Sequence, residues 1–314
     1  MLKSVFFGTP DFAVPSLEAV LPIARPELVV TQPDRPAGRH ARPVPSAVAV
    51  RAERAGLALA KPERLRGNRE LQQRLEGIHP DVGVVVAYGR ILPPEILAVP
   101  RLGFVNVHAS LLPRHRGASP VQAALIAGDS ETGVCTMRVV EELDAGPLYR
   151  SRRLAIGPEE DAGALSNRLA LLGAEVLTET LRGLEAGTLA PTPQAGEPTF
   201  CRPLSREDGG VDWTLPADAI ARRLRAYSPW PGLHTFLGAE RVKILDARPV
   251  PTGAARPPGT LWKEGDLALV AAGGATTLEL RRVQRAGRKP VRGGEFVRGL
   301  ARLPVVLSSS PAAG

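Results

Sequence analysis

Cysteine is scarce in this chain of 314 residues, which has 2 cysteines and 5 lysines against 35 arginines. Cys135 and Cys201 are far apart in the sequence and show no C-x-x-C spacing. This pattern argues against a disulfide framework and against a zinc site built on cysteine pairs. We therefore expect reduced thiols and no bound metal.

Long apolar runs and a leader pattern are also missing. No stretch approaches the roughly 18 apolar residues that cross a bilayer, and residues 1–10 lack a basic segment followed by an apolar one and a cleavage site. The chain is 44% apolar and 23% charged, with a mean hydropathy of −0.03. These values are typical of an ordinary globular protein. We expect a cytoplasmic protein without a membrane partner.

Two common nucleotide-binding motifs are absent. The loop after the first predicted strand, residues 8–12, reads GTPDF rather than G-x-G-x-x-G, and no G-x-x-x-x-G-K-[ST] occurs. A nicotinamide dinucleotide site and P-loop phosphoryl transfer are therefore disfavoured. Any active site has to lie elsewhere.

The first part of the chain has the pattern of an α/β domain. Short apolar runs at 2–7, 28–31, 82–88 and 104–108 alternate with helical patterns, of which the clearest are at 62–78 and 161–184. This alternation predicts a Rossmann-like parallel sheet. We assign residues 1–189 to this domain.

The second part has the pattern of a small β-barrel. Residues 190–206 hold four prolines and little periodicity, which predicts a linker. A short helix at 217–227 is followed by strand patterns at 234–237, 241–245, 259–262, 268–271 and 277–283. Closely spaced short strands with glycine turns predict an OB-like barrel over 207–307, followed by a frayed tail at 308–314.

The positive charge is concentrated in the second part. Residues 1–199 carry 22 basic and 22 acidic side chains, whereas residues 200–314 carry 18 and 10. Seven basic residues and one acid lie between positions 281 and 298; the basic ones are Arg281, Arg282, Arg285, Arg288, Lys289, Arg292 and Arg298. Such a patch suits a polyanion such as RNA, although a solvated basic face explains the charge equally well.

The best candidate for a chemical site is the segment 103–117, GFVNVHASLLPRHRG. Asn106 and His108 lie on one face of a predicted strand, because alternate side chains of a strand point the same way. They stand at its carboxyl end, where open α/β sheets bind ligands. Asp144, in the turn-like segment 143–147, can approach them. The alternative is a buried structural histidine beside a structural amide and a turn-capping aspartate.

An amide, an imidazole and a carboxylate suit acyl transfer. Asn106 can donate to a developing oxyanion, and His108 can add to this donation or move a proton. Asp144 would orient His108 and balance its charge. No candidate nucleophile has the surroundings of a serine or cysteine hydrolase, so direct attack by an acceptor amine is the simpler mechanism.

Together these residues resemble the folate-dependent formyltransferases. That family shares the strand ending N-x-H, the S-L-L-P segment and the L-D-x-G loop, matched here by Asn106, His108, residues 110–113 and residues 143–146. The segments 6–13 (FFGTPDFA), 31–39 (TQPDRPAGR), 84–93 (VVVAYGRILP) and 228–232 (SPWPG) resemble the branch that acts on methionyl-tRNA. The resemblance covers residues 2–305.

The resemblance implies that a formyl group passes from 10-formyltetrahydrofolate to the α-amine of methionine on initiator methionyl-tRNA, for translation initiation. It implies that Asn106, His108 and Asp144 are catalytic. The implied folate site consists of Ser110, Leu111, Leu112 and Pro113, with the backbone of Arg90, Ile91 and Leu92 and of the 140–144 loop. His115 matches no family position, and we expect it to be solvated.

The implied tRNA contacts are in a loop and in the barrel. Segment 31–46 is similar to the family's inserted loop, in which Arg35, Arg39 and Arg42 can meet phosphates or bases. In the barrel the implied contacts are Arg281, Arg282, Arg285, Arg288 and Lys289. We expect a monomer. Two alternatives stay open: a formyltransferase for a small amine, such as an amino-sugar nucleotide or a glycinamide ribonucleotide, and a non-catalytic RNA-binding protein.

Overall fold

The structure is a computed structural model that describes residues 1–37, 42–251, 253 and 255–311. The chain divides into two compact units. The first comprises Met1–Pro120, Ser130–Ile156 and Leu165–Arg202, and the second comprises Val121–Asp129, Gly157–Ala164 and Pro203–Gly314. Residues 190–202, which we predicted to be part of a linker, fall within the first unit in this division.

The first unit is built on a seven-stranded mixed sheet. The strands of this unit are β1 (Ser4–Gly8), β2 (Pro26–Val30), β3 (Arg35–Ala37), β4 (Arg42–Val44), β5 (Leu59–Ala60), β6 (Val82–Val86), β7 (Phe104–His108), β8 (Arg116–Gly117), β9 (Glu131–Arg138), β10 (Leu148–Ala155) and β11 (Phe200–Cys201). The order in the main sheet is β10-β9-β7-β6-β1-β2-β5. Strands β7, β6, β1, β2 and β5 pair in parallel, whereas β9 and β10 are antiparallel to their neighbours.

Helices occur in both units. In chain order they are α1 (Val14–Val20), α2 (Ala47–Arg54), α3 (Arg69–Ile78), α4 (Pro94–Leu97), α5 (Pro120–Ala127), α6 (Ala162–Glu185), α7 (Ala217–Ala226) and α8 (Gly293–Arg298), with single 3-10 turns at Asp11–Ala13 and Glu207–Gly209. The predicted helices at 161–184 and 217–227 are therefore confirmed to within one residue at each end.

The helix predicted over residues 62–78 was wrong in its first half. Helix α3 begins only at Arg69, because the Asn68 side chain caps it by accepting a hydrogen bond from the Leu71 amide at 3.0 Å. Gly67 has φ +68°, a left-handed conformation outside the helical region. The proline-led segment before it is irregular. Apolar spacing located the buried face, on which Leu71 and Leu75 are buried, but not the start of the helix.

Apolar side chains of the parallel strands form the core beside the sheet. Phe7 packs edge-on against Tyr88 and Phe104, with ring centroids 5.4 Å apart in both pairs. All five residues of β1 and all five of β6 are buried, as expected of central parallel strands covered on both faces. Against this background, polar groups on the neighbouring strand β7 stand out.

The second unit contains a closed antiparallel barrel. Its strands are β12 (Leu233–Leu237), β13 (Glu240–Val250), β14 (Thr260–Glu264), β15 (Leu267–Ala272), β16 (Thr276–Arg285), β17 (Val291–Arg292) and β18 (Val305–Ser308). Their order is β13-β12-β18-β14-β15-β16-β17, and a further pairing of β13 with β16 closes a six-stranded ring. The predicted barrel is confirmed. Strand β18 includes Ser308, which we had placed in the tail.

Candidate active site

The carboxyl end of β7 carries the predicted polar pair. Asn106 and His108 are two residues apart on this strand, so their side chains leave the same face. Asn106 is partly exposed, and its side chain has no hydrogen-bond partner within the described part of the chain. A free amide of this kind is available to a ligand.

His108 is buried, with 6% of its surface exposed. Its Nε2 lies 3.0 Å from the carbonyl oxygen of His115, and its Nδ1 faces the Asp144 carboxylate, Oδ2, at 3.7 Å. The first contact is a hydrogen bond in which Nε2–H donates, and the second is too long to be one. The His115 carbonyl, rather than Asp144, therefore fixes the orientation of the ring in this structure.

Burial lowers the pKa of His108 below its usual 6.5, while the nearby Asp144 carboxylate and the hydrogen bond to His115 act in the opposite direction. Burial is the dominant cause. At neutral pH the ring is therefore uncharged, with the proton on Nε2 and the lone pair of Nδ1 directed toward Asp144.

Asp144 is held by backbone rather than by His108. Its Oδ2 accepts a hydrogen bond from the Gly117 amide at 2.8 Å. The residue itself has φ +49°, a left-handed conformation that is uncommon outside glycine. Such conformations persist only where the surroundings hold them, and they cluster at functional sites. The Asp144 carboxylate is thus held by β8 rather than by His108.

Segment 199–201 fixes the loop that follows β7. Thr199 accepts a hydrogen bond from the His115 amide at 2.8 Å through Oγ1, and its carbonyl accepts one from the Arg116 amide at 2.8 Å. Strands β8 and β11 pair in parallel at the same place. The expectation that His115 is solvated was wrong: it is 8% exposed, and its carbonyl holds His108. The neighbouring arginines suggested a polar surface, but the backbone turns His115 inward with φ +57°.

Two side chains that the sequence did not single out complete the site. Gln194 donates hydrogen bonds from Nε2 to the carbonyls of Asp144 and Gly146, both at 2.8 Å. Its Oε1 accepts from the buried guanidinium of Arg116 at 2.9 Å and 3.2 Å. A polar residue in a proline-rich stretch gives no periodic signal, and only the fold brings Gln194 to the Asp144 loop.

The segments predicted to bind folate follow neighbouring strands. Residues 87–92 come after β6 and residues 109–113 after β7, and because these strands pair in parallel both segments lie at the same sheet edge. Ser110 is buried and donates to the Arg114 carbonyl at 2.5 Å. Leu92 and Leu112 are buried, whereas the Ile91 side chain is 79% exposed. The Arg90 guanidinium donates to the backbone carbonyls of residues 62 and 63.

Two of the candidate RNA-binding residues of the first unit, Arg35 and Arg42, lie on a pair of short strands. Strands β3 and β4 pair between Arg35 and Val44. The Arg35 guanidinium donates to the Gln32 side chain, whose Nε2 in turn donates to the Tyr88 carbonyl at 2.7 Å. Arg39 lies outside the described residues, and the side chain of Arg42 is not among those described.

The basic residues of the barrel separate into paired and unpaired groups. Arg285 donates to both carboxylate oxygens of Glu240, with Nε at 2.9 Å and 3.1 Å, and Arg281 pairs with Asp246 at 3.5 Å. In the described part of the chain, no carboxylate lies within ion-pair distance of the exposed side chains of Arg282, Arg288, Lys289 and Arg292. Arg282 and Arg292 stand directly opposite each other on β16 and β17. Both line a cleft of about 500 Å³.

Two sequence families account for nearly all of the chain. Residues 3–181 match the formyl transferase family, and residues 203–301 match the formyl transferase C-terminal domain. The chain belongs to the formyl transferase family. The three proposed catalytic residues lie inside the first match, whereas Gln194 and segment 199–201 lie between the two.

The chain is similar over its whole length to curated members of this family. It is 46% identical to the methionyl-tRNA formyltransferase of Thermus thermophilus, with 96% of this chain and 98% of the relative covered. It is 45% identical to that of Heliobacterium modesticaldum, with 95% and 97% covered. The enzyme of the same name from Xanthomonas axonopodis pv. citri is 42% identical, with 97% and 100% covered.

Solved structures of formyl transferases share the fold at low sequence identity. The N-formyltransferase from Helicobacter canadensis, solved with folinic acid and dTDP-3-aminofucose, has a TM-score of 0.66 at 14% identity, covering 89% of this chain and 99% of its own. HypX from Aquifex aeolicus, solved with tetrahydrofolic acid, has a TM-score of 0.59 at 17% identity, covering 97% and 49%. At such identities the likeness concerns the fold.

Two kinds of feature are absent from the described ranges, which leave out 38–41, 252, 254 and 312–314. No helix there is long and apolar enough to cross a membrane. No cluster of three or more histidine, cysteine, aspartate or glutamate side chains there is placed to hold a metal ion.

Proposed function

We propose that this chain transfers the formyl group of 10-formyltetrahydrofolate to the α-amine of methionine esterified to initiator tRNA. The observation that carries the proposal is the meeting of Asn106, His108 and Asp144 at the carboxyl end of β7, in a member of the formyl transferase family. The full-length similarity to methionyl-tRNA formyltransferases supports the choice of acceptor.

The reaction exchanges one C–N bond for another. The amine lone pair attacks the formyl carbon, negative charge develops on the formyl oxygen, and the bond from that carbon to the folate nitrogen then breaks. A proton has to leave the attacking amine, and one has to reach the departing nitrogen. The protein therefore needs an oxyanion donor and a group that carries a proton.

The three side chains supply these functions. The partly exposed amide of Asn106 donates to the formyl oxygen. The Nδ1 lone pair of His108 and the Asp144 carboxylate, 3.7 Å apart, take the amine proton and return it to the leaving nitrogen. A gap of this length is common before substrate binds, since catalytic hydrogen bonds tighten in the reacting complex.

The surroundings of this triplet suit a folate. A pterin needs apolar surface for its ring and backbone groups for its polar edge. Exposed apolar side chains lie on both segments proposed to contact it: Ile91 is 79% exposed and Leu143, next to Asp144, is 55% exposed. These two side chains offer apolar surface to a bound pterin ring. We therefore retain residues 90–92, 110–113 and the 140–144 loop as the folate site.

The unpaired arginines of the barrel suit the tRNA backbone. Two like charges opposite each other on paired strands repel, and a phosphate between them removes the repulsion. Arg282 and Arg292 stand in this relation, and the exposed Arg288 and Lys289 follow β16. Arg281 and Arg285 are occupied by acidic partners, so we propose that the unpaired residues make the phosphate contacts. Arg35, Arg39 and Arg42 remain the proposed contacts to the acceptor stem.

The test is formyl transfer from 10-formyltetrahydrofolate to methionyl initiator tRNA, compared with methionyl elongator tRNA and free methionine. We expect transfer to the initiator tRNA. Transfer to a small amine, such as an amino-sugar nucleotide, without transfer to tRNA would reject the proposed acceptor. Tight tRNA binding without transfer to any acceptor would instead favour a non-catalytic RNA-binding protein.

A further inference from the structure

The loop that carries Asp144 has few contacts of its own to hold it. Asp144 has φ +49°, and Glu142 and Leu143 before it are exposed. A non-glycine residue in this conformation relaxes unless other groups hold its backbone. The position of the carboxylate beside His108 therefore depends on bonds from outside the loop.

Gln194 provides two of these bonds, beside the Gly117 amide on Asp144 Oδ2 at 2.8 Å and the Arg116 contact with Glu142 at 3.5 Å. Its amide nitrogen has two hydrogens, and they are directed at the carbonyl oxygens of Asp144 and Gly146 at 2.8 Å each. Both carbonyls lie on the carboxyl side of the Asp144 Cα, with Ala145 between them. One planar amide thus holds the backbone that directly follows the left-handed residue.

Arg116 in turn orients Gln194. Its Nε and Nη2 both donate to Gln194 Oε1, at 3.2 Å and 2.9 Å, and the side chain of Arg116 is 8% exposed. Because both Arg116 donors bind the oxygen of the Gln194 amide, they set its orientation, and its nitrogen faces the Asp144 loop. The next residue, Gly117, donates its amide to Asp144 Oδ2 at 2.8 Å. Strand β8 therefore holds Asp144 in two ways: Gly117 binds its carboxylate directly, and Arg116 orients Gln194, which binds its carbonyl.

We infer that Gln194 is a positioning residue for formyl transfer, which holds the Asp144 carboxylate at His108 through the backbone of the Asp144 loop. This inference rests on the proposed function for its consequence on rate. It assigns a task to the segment between the two family domains, which composition alone marks as a linker. Gln194 contacts neither substrate in this assignment.

The informative variants remove hydrogen bonds while keeping bulk. Gln194→Met has a similar length and no donor, and Gln194→Glu keeps an acceptor for Arg116 but directs negative charge at two carbonyl oxygens. Thr192→Val is the matched control, because Thr192 lies in the same segment and its hydroxyl donates only a long 3.4 Å bond to the Leu148 carbonyl. Thermal unfolding of all three variants reports on folding separately.

We expect kcat to fall about 10- to 100-fold in both Gln194 variants, since a displacement near 1 Å in a catalytic group has effects of this size. The KM for methionyl-tRNA should stay within about threefold, because its proposed contacts are intact, whereas the KM for folate can rise because the 140–144 loop belongs to the proposed folate site. Thr192→Val should match the unchanged protein. A Gln194→Met variant with unchanged kcat, or one whose whole loss is explained by unfolded protein, would overturn the inference.

A second measurement needs no turnover. The titratable groups around the His108 ring are Asp144, His115 and the Cys201 thiol, with the Arg116 charge beyond them. Asp144 raises the pKa of His108, so releasing its loop should lower that pKa in Gln194→Met, in the direction expected for Asp144→Asn. NMR titration of the imidazole measures this. If His108 titrates in Gln194→Met as it does in the protein without a substitution, the positioning role is rejected. If the protein without a substitution does not transfer formyl groups but Gln194→Met shows the expected shift, only the proposed function is rejected.

Discussion

The chemistry of the site depends on which ring nitrogen of His108 carries the proton. Its ring donates through Nε2 to the His115 carbonyl and keeps Nδ1 free toward Asp144. Sequence spacing predicted that Asn106 and His108 share one face of a strand, and the family resemblance added Asp144 to them. It did not predict that the ring is oriented by the backbone of His115, because a main-chain carbonyl reached through a left-handed turn has no side-chain pattern.

Replacing His108 with alanine should remove proton transfer and leave binding intact. We expect kcat to fall about 100- to 10,000-fold, the usual contribution of a general acid–base group, with nearly unchanged affinity for methionyl-tRNA. Single-turnover kinetics and filter binding measure the two quantities. A variant that turns over normally but binds tRNA poorly would contradict the catalytic role.

The rate should also depend on pH through this residue. Because burial lowers the pKa of His108 below 6.5, the neutral ring that accepts a proton is present at pH 7 and is lost on acidification through that lowered pKa. Asp144→Asn removes a group that raises this pKa, so the acid limb of the kcat profile should move to lower pH while the maximal rate falls. An acid limb that moves to higher pH would show that the assignment is wrong.

At the scale of elements, the short pairing of β8 with β11 places the site. Gly117 lies in β8 with φ +119°, and a Cβ there would come within 2.1 Å of the Cys201 carbonyl oxygen. No side chain fits between these two backbones. The closeness explains why a two-residue strand pair can hold the Asp144 hydrogen bond and the His115 carbonyl in register.

Gly117→Ala tests this pairing. We expect it to destabilise the first unit by more than about 2 kcal/mol, from backbone strain plus displacement of β11, and to lower kcat. Gly196→Ala is the matched control: Gly196 also has a positive φ, +101°, but a Cβ there meets only Pro113 at an ordinary 3.8 Å. Denaturant unfolding compares the two. Equal destabilisation would mean that the close approach to Cys201 is unimportant.

Elements differ in how far their sequence determines them. Strands β1, β2, β6 and β7 were predicted because continuous apolar runs are the pattern of buried parallel strands. Strands β9 and β10 were missed. Strand β10 carries arginines at positions 150, 152 and 153, so it lacks the alternation of apolar and polar residues that predicts a strand. It is a strand because it pairs with β9. Tertiary pairing, rather than local pattern, decides such edges.

At the scale of the whole molecule, the unpaired positive charge and the proposed catalytic residues are in different units. The triplet lies in the first unit, and the unpaired arginines lie in the second. Sequence counting found the excess of positive charge but not which residues have acidic partners. That distinction comes from the fold, since Glu240 meets Arg285 only when β13 and β16 close the barrel.

Salt dependence of tRNA binding should distinguish the two groups. Arg282→Gln should lower the slope of log K against log salt by about 1, as expected for one lost phosphate contact. Arg285→Gln, on the same strand, should change the slope little, because its guanidinium is held by Glu240. Binding titrations at several salt concentrations measure both. A larger change in Arg285→Gln would reverse the assignment.

Acid should destabilise the folded chain through its buried histidines. The pKa values of His108 and His234 are both lowered, chiefly by burial, so the unfolded chain takes up protons first as pH falls below 6.5. The free energy of unfolding then decreases with falling pH, by at most on the order of 1 kcal/mol per pH unit for each histidine. His234→Gln should flatten this dependence for the second unit between pH 6.5 and 5, as measured by denaturant unfolding.

Strand β10 has a consequence for behaviour at high concentration. It is the outer strand of the seven-stranded sheet, and an eight-residue edge of this length is a template for pairing with another chain. Three arginines lie along that edge, of which Arg152 is paired with Glu175 and Glu179 and Arg153 with Glu131. Pairing with a second chain would bury these charged groups, which is unfavourable. The arginines that obscure the strand pattern of β10 thus also disfavour aggregation through this edge of the sheet.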